Sequence, residues 1–162
     1  MRLGVLSDTH DRLDRTRAAV ALLLDAGADA LVHCGDLTTP AVVELCSSRL
    51  FDFVLGNHDA DSVPALTAAA ARCGATCHGW GGVIDYEGVR VGITHGHLRT
   101  DVRRVLAARP HYLLTGHSHE AHDCVEGGVR RVNPGALHRA DRYTVAVIDV
   151  AAGEVRFLDV PR

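Results

Sequence analysis

No stretch of this sequence approaches the ~18 consecutive apolar residues that a membrane span requires, so no transmembrane helix is expected. Nor is there a run of Lys or Arg. With 17 basic against 20 acidic residues the formal charge is -3, which argues against a nucleic-acid or membrane-surface binder. The pairs Arg103-Arg104 and Arg130-Arg131 read as solvated faces. The chain opens directly on the strand-like MRLGVLSD, so no secretory or transit peptide is expected. Five cysteines is an odd count; without a secretory signal it favours a reducing compartment, and a cytoplasmic location is expected. The segment CGATC, Cys73 to Cys77, lacks zinc-finger spacing and a second pair, and reads as structural. No linker, repeat or low-complexity segment interrupts the chain, so residues 1–162 are expected to form a single domain. A chain of this length buries about 70% of its unfolded surface and needs neither disulfides nor a metal merely to hold a core.

What is present is an alternation of short apolar runs with helical patterns. LGVLSD reads as a first strand, and DRLDRTRAAVALLLDAG has 3.6-type periodicity closing on Gly27, a helix C-terminal signal. ALVHCGD is a second strand, followed by a Thr38/Thr39 cap, Pro40 in the first turn and a helix to about Ser48. FDFVLGN and DSVPALTAAAARCG repeat the pattern. Such a β-α-β-α-β-α series implies a largely parallel sheet. The second half predicts a hairpin turning at Glu87-Gly88, a helix around RTDVRRVLAAR, the strand HYLLTGHSH, and two strand-turn-strand units, HDCVEGGVRRVNPG and YTVAVIDVAAGEVRFLDV. The expected architecture is α/β, with two packed sheets and outer helices.

The polar residues fall at the strand ends. The first ends on SDTH (Asp8, His10), the second on GD (Gly35, Asp36), the third on GNHD (Asn57, His58, Asp59), a later one on HGH (His95, His97) and the next on GHSH (His117, His119). In open α/β folds the carboxyl ends of parallel strands line one edge, where ligands bind. Carboxylate, amide oxygen and imidazole together suit divalent ions such as Mn, Fe, Zn, Ni or Co. That many ligands exceeds one tetrahedral site but fits two ions sharing a carboxylate, held ~3.5–4 Å apart as in phosphoryl-transfer enzymes. On an extended segment an i, i+2 pair points to one face, so His117 and His119 can each serve one ion. Gly35, Gly56 and Gly116 are read as sharp turns beside them. His33 reads as a buried, satisfied strand residue; His78, His111, His122 and His138 belong to no block and read as structural, as does Trp80.

In that order, SDTH, GD, GNHD, HGH and GHSH resemble the five-block signature of the calcineurin-like metallophosphoesterases, and the short chain with NPGA at Asn133–Ala136 is similar to their small, capless bacterial and archaeal phosphodiesterase branch. The resemblance runs from Asp8 to about Gly135. It implies a four-layer α-β-β-α sandwich of two mixed sheets with outer helices. It also implies that Asp8, His10 and His119 hold one ion, that Asp36 bridges, and that Asn57, His95 and His117 hold the second. Manganese is the first choice of metal, with Fe, Zn, Ni and Co also suited. His58 would protonate the leaving oxygen, a task fitted to imidazole near neutral pH, and Asp59 would assist catalysis by orienting His58 or a ligand. His97 is open between substrate contact, support of a ligand and simple packing. NPGA departs from the more usual ending in Ser, which puts a hydroxyl contact from that loop in doubt.

The activity so implied is hydrolysis of a small phosphoester, a diester first, by in-line attack of a metal-bridging hydroxide with no covalent intermediate. Two rivals stand beside it. One is a phosphomonoesterase or nucleotide pyrophosphatase of the same superfamily; the other is a non-catalytic scaffold of the same fold, such as a retromer subunit.

Overall fold

The computed structural model describes residues Met1–Arg162. β1 (Arg2–Leu6), α1 (Leu13–Asp25), β2 (Ala30–His33), α2 (Pro40–Cys46), β3 (Leu50–Phe53), α3 (Val63–Cys73) and the short β4 (Thr76–Cys77) make up the first half. The second half consists of β5 (Gly81–Tyr86), β6 (Val89–Thr94), α4 (Arg99–Ala107), β7 (Tyr112–Leu114), β8 (His122–Glu126), β9 (Val129–Asn133), β10 (Thr144–Asp149) and β11 (Glu154–Asp159). One sheet has the order β11-β10-β1-β2-β3-β4, the other β5-β6-β7-β9-β8. β1 through β4 run parallel, as do β6, β7 and β9, while β5, β8, β10 and β11 are antiparallel to their neighbours. Both sheets are therefore mixed, as the resemblance implies.

Strand alternation divides the side chains between two cores. Leu3 and Val5 of β1, Ala30 and Val32 of β2, and Ala146 and Ile148 of β10 meet Val91, Ile93 and Leu114 between the sheets. Leu31, Phe51, Phe53, Val145 and Val147, on the opposite face, meet Ala19, Leu23, Val43, Leu66 and Ala69 of α1, α2 and α3. α4 covers β5 and β6 on the far side. The four layers are thus helices, sheet, sheet, helix. Burial on both faces is why the central strands read as near-continuous apolar runs.

One polar residue sits within the inter-sheet core. Asp52 of β3 accepts from Tyr86 Oη at 2.7 Å and lies 2.7 Å from His78 Nε2, so a single buried carboxylate fastens β3 to β5 across the layer. Thr39 occupies the predicted N-cap of α2, with Pro40 in its first turn, but its hydroxyl donates to Asp11 Oδ1 at 2.9 Å and caps no helix N–H. No helix is long and apolar enough to cross a membrane.

Candidate metal centre

The carboxyl ends of β1, β2, β3, β6 and β7 converge; residues after β1, β2, β3 and β7 line one cavity of about 410 Å³, and His95 after β6 lies buried beside Asp8 and Asp36. Asp8, Asp36 and His95 are buried, His10 and His119 are half-buried, and Asn57, His58 and His117 are exposed at the rim. Asp36 lies at the centre: its Oδ2 is 3.4 Å from His10 Nε2 and 3.4 Å from His95 Nε2. Its Oδ1 accepts the His58 backbone N–H at 2.9 Å. Asp8 Oδ1 lies 3.1 Å from His119 Nε2 and 3.9 Å from His95 Nε2, while its Oδ2 accepts from Ser7 Oγ at 2.6 Å and from the His117 N–H at 3.1 Å. Two tight groups result, Asp8 with His10 and His119, and Asp8 with Asp36 and His95; within each, the donor atoms lie within 4.8 Å of one another. His117 joins neither; it lines the cavity, its ring standing 5.2 Å from that of the buried His95.

The donor atoms fit a cation. His95 Nδ1 donates to the Cys34 carbonyl at 2.8 Å, so in the neutral ring Nε2 carries a lone pair. That lone pair faces Asn57 Oδ1 at 3.1 Å and the Asp36 carboxylate. Three acceptors aimed at one another call for positive charge between them. Asp8 Oδ1 and His10 Nε2, both buried, have no hydrogen-bond partner at all, which is a costly arrangement unless an ion takes them up. Burial opposes charge on His95, but Asp36 and Asp8 outweigh it and raise its pKa. Burial likewise opposes charge on Asp36, yet His95, the His58 N–H and His10 hold its pKa down at about 2.

Local backbone is bent to bring these atoms together. Asp8, His10, Asp36, His117 and His119 all have positive φ, between 43° and 67°. Such conformations cost on the order of 1 kcal/mol or more each and gather where function requires them; Asp and His tolerate them better than most residues. Gly35, at φ +100°, is a sharp turn as predicted. Gly56, at φ -104°, is not: a Cβ there would collide with Asp36 Oδ1, and one at Gly116 would collide with Ser7 Oγ and stand 2.7 Å from Asp8 Oδ2. These two glycines make room for the carboxylates.

Asp59 is fully buried and does not face the cavity. Its Oδ2 accepts from the Asp36 N–H at 2.8 Å and the Gly56 N–H at 2.7 Å, and its Oδ1 from the Thr38 N–H at 2.7 Å. Through these bonds Asp59 fastens the loop carrying Asp36 to the loop carrying Asn57. His97 is also absent from the cavity wall, packed at 5.4 Å from His95 and edge-on to Trp80 at 6.0 Å, ring centre to ring centre.

Two residues that no motif marked do line the cavity, His138 and Arg139. They follow β9, a sixth parallel strand whose end reaches the same edge. The His138 ring lies 4.8 Å from that of His10, and its Nδ1 accepts from Arg12 Nε at 3.2 Å, which leaves Nε2 as the N–H in the neutral ring. Arg139 accepts from His119 Nδ1 through its carbonyl at 3.3 Å, turning Nε2 of that ring toward Asp8. The only signal in the sequence was their closeness to NPGA.

His33 supports the centre from below. Its Nδ1 accepts the Gly35 N–H at 3.1 Å, and its Nε2 faces Thr9 Oγ1 at 3.1 Å, which donates to the Asp36 carbonyl at 3.3 Å. Burial, then the charge of His95, pushes its pKa from 6.5 down to about 3. Between those values the unfolded chain binds a proton that the native chain refuses, so the His33 contribution is complete above pH 6.5 and declines as pH falls toward 3. His33→Gln should be less stable than wild type at pH 8 yet lose less on acidification from pH 6.5 to 4, as read by urea unfolding. Parallel pH curves for the two proteins would contradict this.

Comparison with known proteins agrees with the architecture. Residues 1–153 match the sequence model of the calcineurin-like phosphoesterase superfamily domain. Phosphodiesterase MJ0936 of Methanocaldococcus jannaschii is 24% identical over 173 residues, covering 96% of this chain and 97% of that protein. The structure of an archaeal phosphodiesterase superposes with a TM-score of 0.88 at 22% identity, over 99% of this chain and 100% of that one. Entamoeba histolytica Vps29, solved with Zn²⁺, superposes with a TM-score of 0.61 at 17% identity, over 99% and 98%. At these identities the structural likeness speaks for the fold. The match across residues 1–153 makes this chain a member of the calcineurin-like phosphoesterase superfamily.

Proposed function

We propose that this chain, acting as one domain over residues 1–162 in a reducing compartment, is a phosphodiesterase working on a small phosphoester with two divalent cations, manganese first. One observation carries the reading: a single oxygen, Asp36 Oδ2, stands 3.4 Å from an imidazole nitrogen on either side, His10 and His95. That is the placement a bridging carboxylate needs. Asp8, His10 and His119 would hold one ion, Asn57, His95 and His117 the other. When bound, such a pair activates water at neutral pH and draws charge from the phosphoryl oxygens.

The remaining work belongs to the chain. Asp59 and Gly56 fix the depth of Asp36. The backbone of residue 58 is tied to Asp36 Oδ1, which leaves the exposed His58 imidazole free at the cavity rim, 5.0 Å from the His10 ring. There it can give a proton to the departing alcohol oxygen. His138 offers a further N–H to the phosphoryl group. Hydrolysis of bis(p-nitrophenyl) phosphate should rise with added Mn, Ni, Co, Zn or Fe and exceed that of p-nitrophenyl phosphate under the same conditions. No metal-stimulated hydrolysis of either ester would overturn the reading, and a preference for the monoester would move the chain to the phosphomonoesterases.

A further inference from the structure

The cavity holding the candidate ligands does not stand alone. His119 and Arg139 are shared with a second cavity, also of about 410 Å³, within the roughly 300–1,000 Å³ of small-molecule sites. Its other walls are mainly polar: Ser118, Glu120, Asp141 and Arg142, with Ala121 and Ala140 its two hydrophobic residues. We propose that this second cavity holds the arm of the diester that stays on phosphorus, that this arm is a sugar or polyol, and that Arg139 at the junction holds the phosphoryl group between the two cavities. The inference rests on the phosphodiesterase reading.

Arg139 is the one arginine in the wall of the first cavity. Its carbonyl is engaged by His119, but its guanidinium enters none of the ion pairs of the chain, in contrast to Arg142, which is paired with Asp159 at 2.8 Å. A free planar guanidinium beside a phosphoryl site is suited to grip two of its oxygens. Beyond it, the wall chemistry selects the arm. Glu120 and Asp141 bring two carboxylates that form no ion pair, and these repel a second anionic group. Two alanines offer too little apolar surface to favour an aryl or lipid arm. Hydroxyls suit both halves of the wall, donating to the carboxylates and accepting from Arg139 or the Ser118 hydroxyl. His58 is not part of this wall, so the alcohol that departs lies on the other side. Water adds its oxygen to phosphorus and gives up one proton to solvent, the P–O bond to that alcohol breaks, and the alkoxide takes its proton from His58, which solvent then reprotonates. The products are a free alcohol and a sugar or polyol phosphomonoester.

The test uses metal-loaded protein and matched p-nitrophenyl phosphodiesters whose second arm is glyceryl, methyl, benzyl or carboxymethyl. The glyceryl ester should exceed the methyl ester in kcat/KM by about tenfold, chiefly through KM, the effect of about one hydrogen bond, and should yield glyceryl phosphate; a cyclic phosphate product would mean that the arm's own hydroxyl had attacked in place of water and would overturn the inference. Exchanging both carboxylates, Glu120→Gln with Asp141→Asn, should bring the glyceryl-to-methyl ratio close to one. Arg139→Gln should raise KM for both esters about tenfold, with partial return in Arg139→Lys. The wild-type series stands even if a variant fails to fold. Equal rates on all four arms, or preference for the benzyl or carboxymethyl ester, would overturn the inference and leave the phosphodiesterase reading intact. Hydrolysis of none of the four would remove both.

Discussion

His58→Ala should lower kcat on an alkyl phosphodiester by about 10²–10⁴-fold, the usual worth of a general acid, while metal content stays at the wild-type level. The separation of these two effects follows from how residue 58 is attached. What touches Asp36 is the backbone N–H of residue 58, at 2.9 Å from Oδ1, and alanine retains it. The imidazole itself is exposed and makes no hydrogen bond that holds a candidate ligand in place. The size of the loss should depend on the leaving group. A p-nitrophenolate departs without much help from a proton, so the variant should lose far less on a nitrophenyl ester than on an alkyl ester. Rate constants on both esters, with metal analysis of the same samples, check this. Equal losses on the two esters would remove His58 as the acid, and loss of metal together with rate would show that its side chain belongs to the binding of the ions.

Much of the fold was legible because it depends on local pattern. Gly27 does end the first helix region at φ +83°, and the Glu87-Gly88 hairpin turns where the pattern places it. Five strand ends rich in Asp, Asn and His were enough to point to one edge. What could not be read were consequences of long-range order. His138 and Arg139 reach the centre because β9 pairs in parallel with β7, a neighbour relation set by the packing of the whole sheet. Asp59 follows His58 in sequence, yet the 3-10 turn over Asn57–Ser62 sends one side chain inward and the other to the rim. Residues adjacent in a motif need not share a role. Gly56 and Gly116, expected as sharp turns, have no positive φ; a side chain is excluded there because Asp36 of the loop after β2 takes the space at one, and Ser7 and Asp8 after β1 take it at the other.

Asp36→Asn should abolish the stabilisation that added Mn²⁺ gives the wild-type protein and reduce activity to near background. A metal at 100 times its dissociation constant stabilises the native state by about 2.7 kcal/mol, which for a domain of this size is roughly 5–11 °C in Tm. In the variant that shift should vanish. The amide occupies the same volume, and one of its atoms can still accept the His58 N–H. The backbone is also tolerated, because position 36 sits at φ +60°, a region Asn enters more readily than most residues. The metal-free variant should therefore fold. What it lacks is the negative charge between His10 and His95, each 3.4 Å from Oδ2, and with it the atom that both ions would share. Loss of one ion with retention of the other would show that Asp36 serves a single site, and full metal content with a wild-type thermal shift would show that it serves neither.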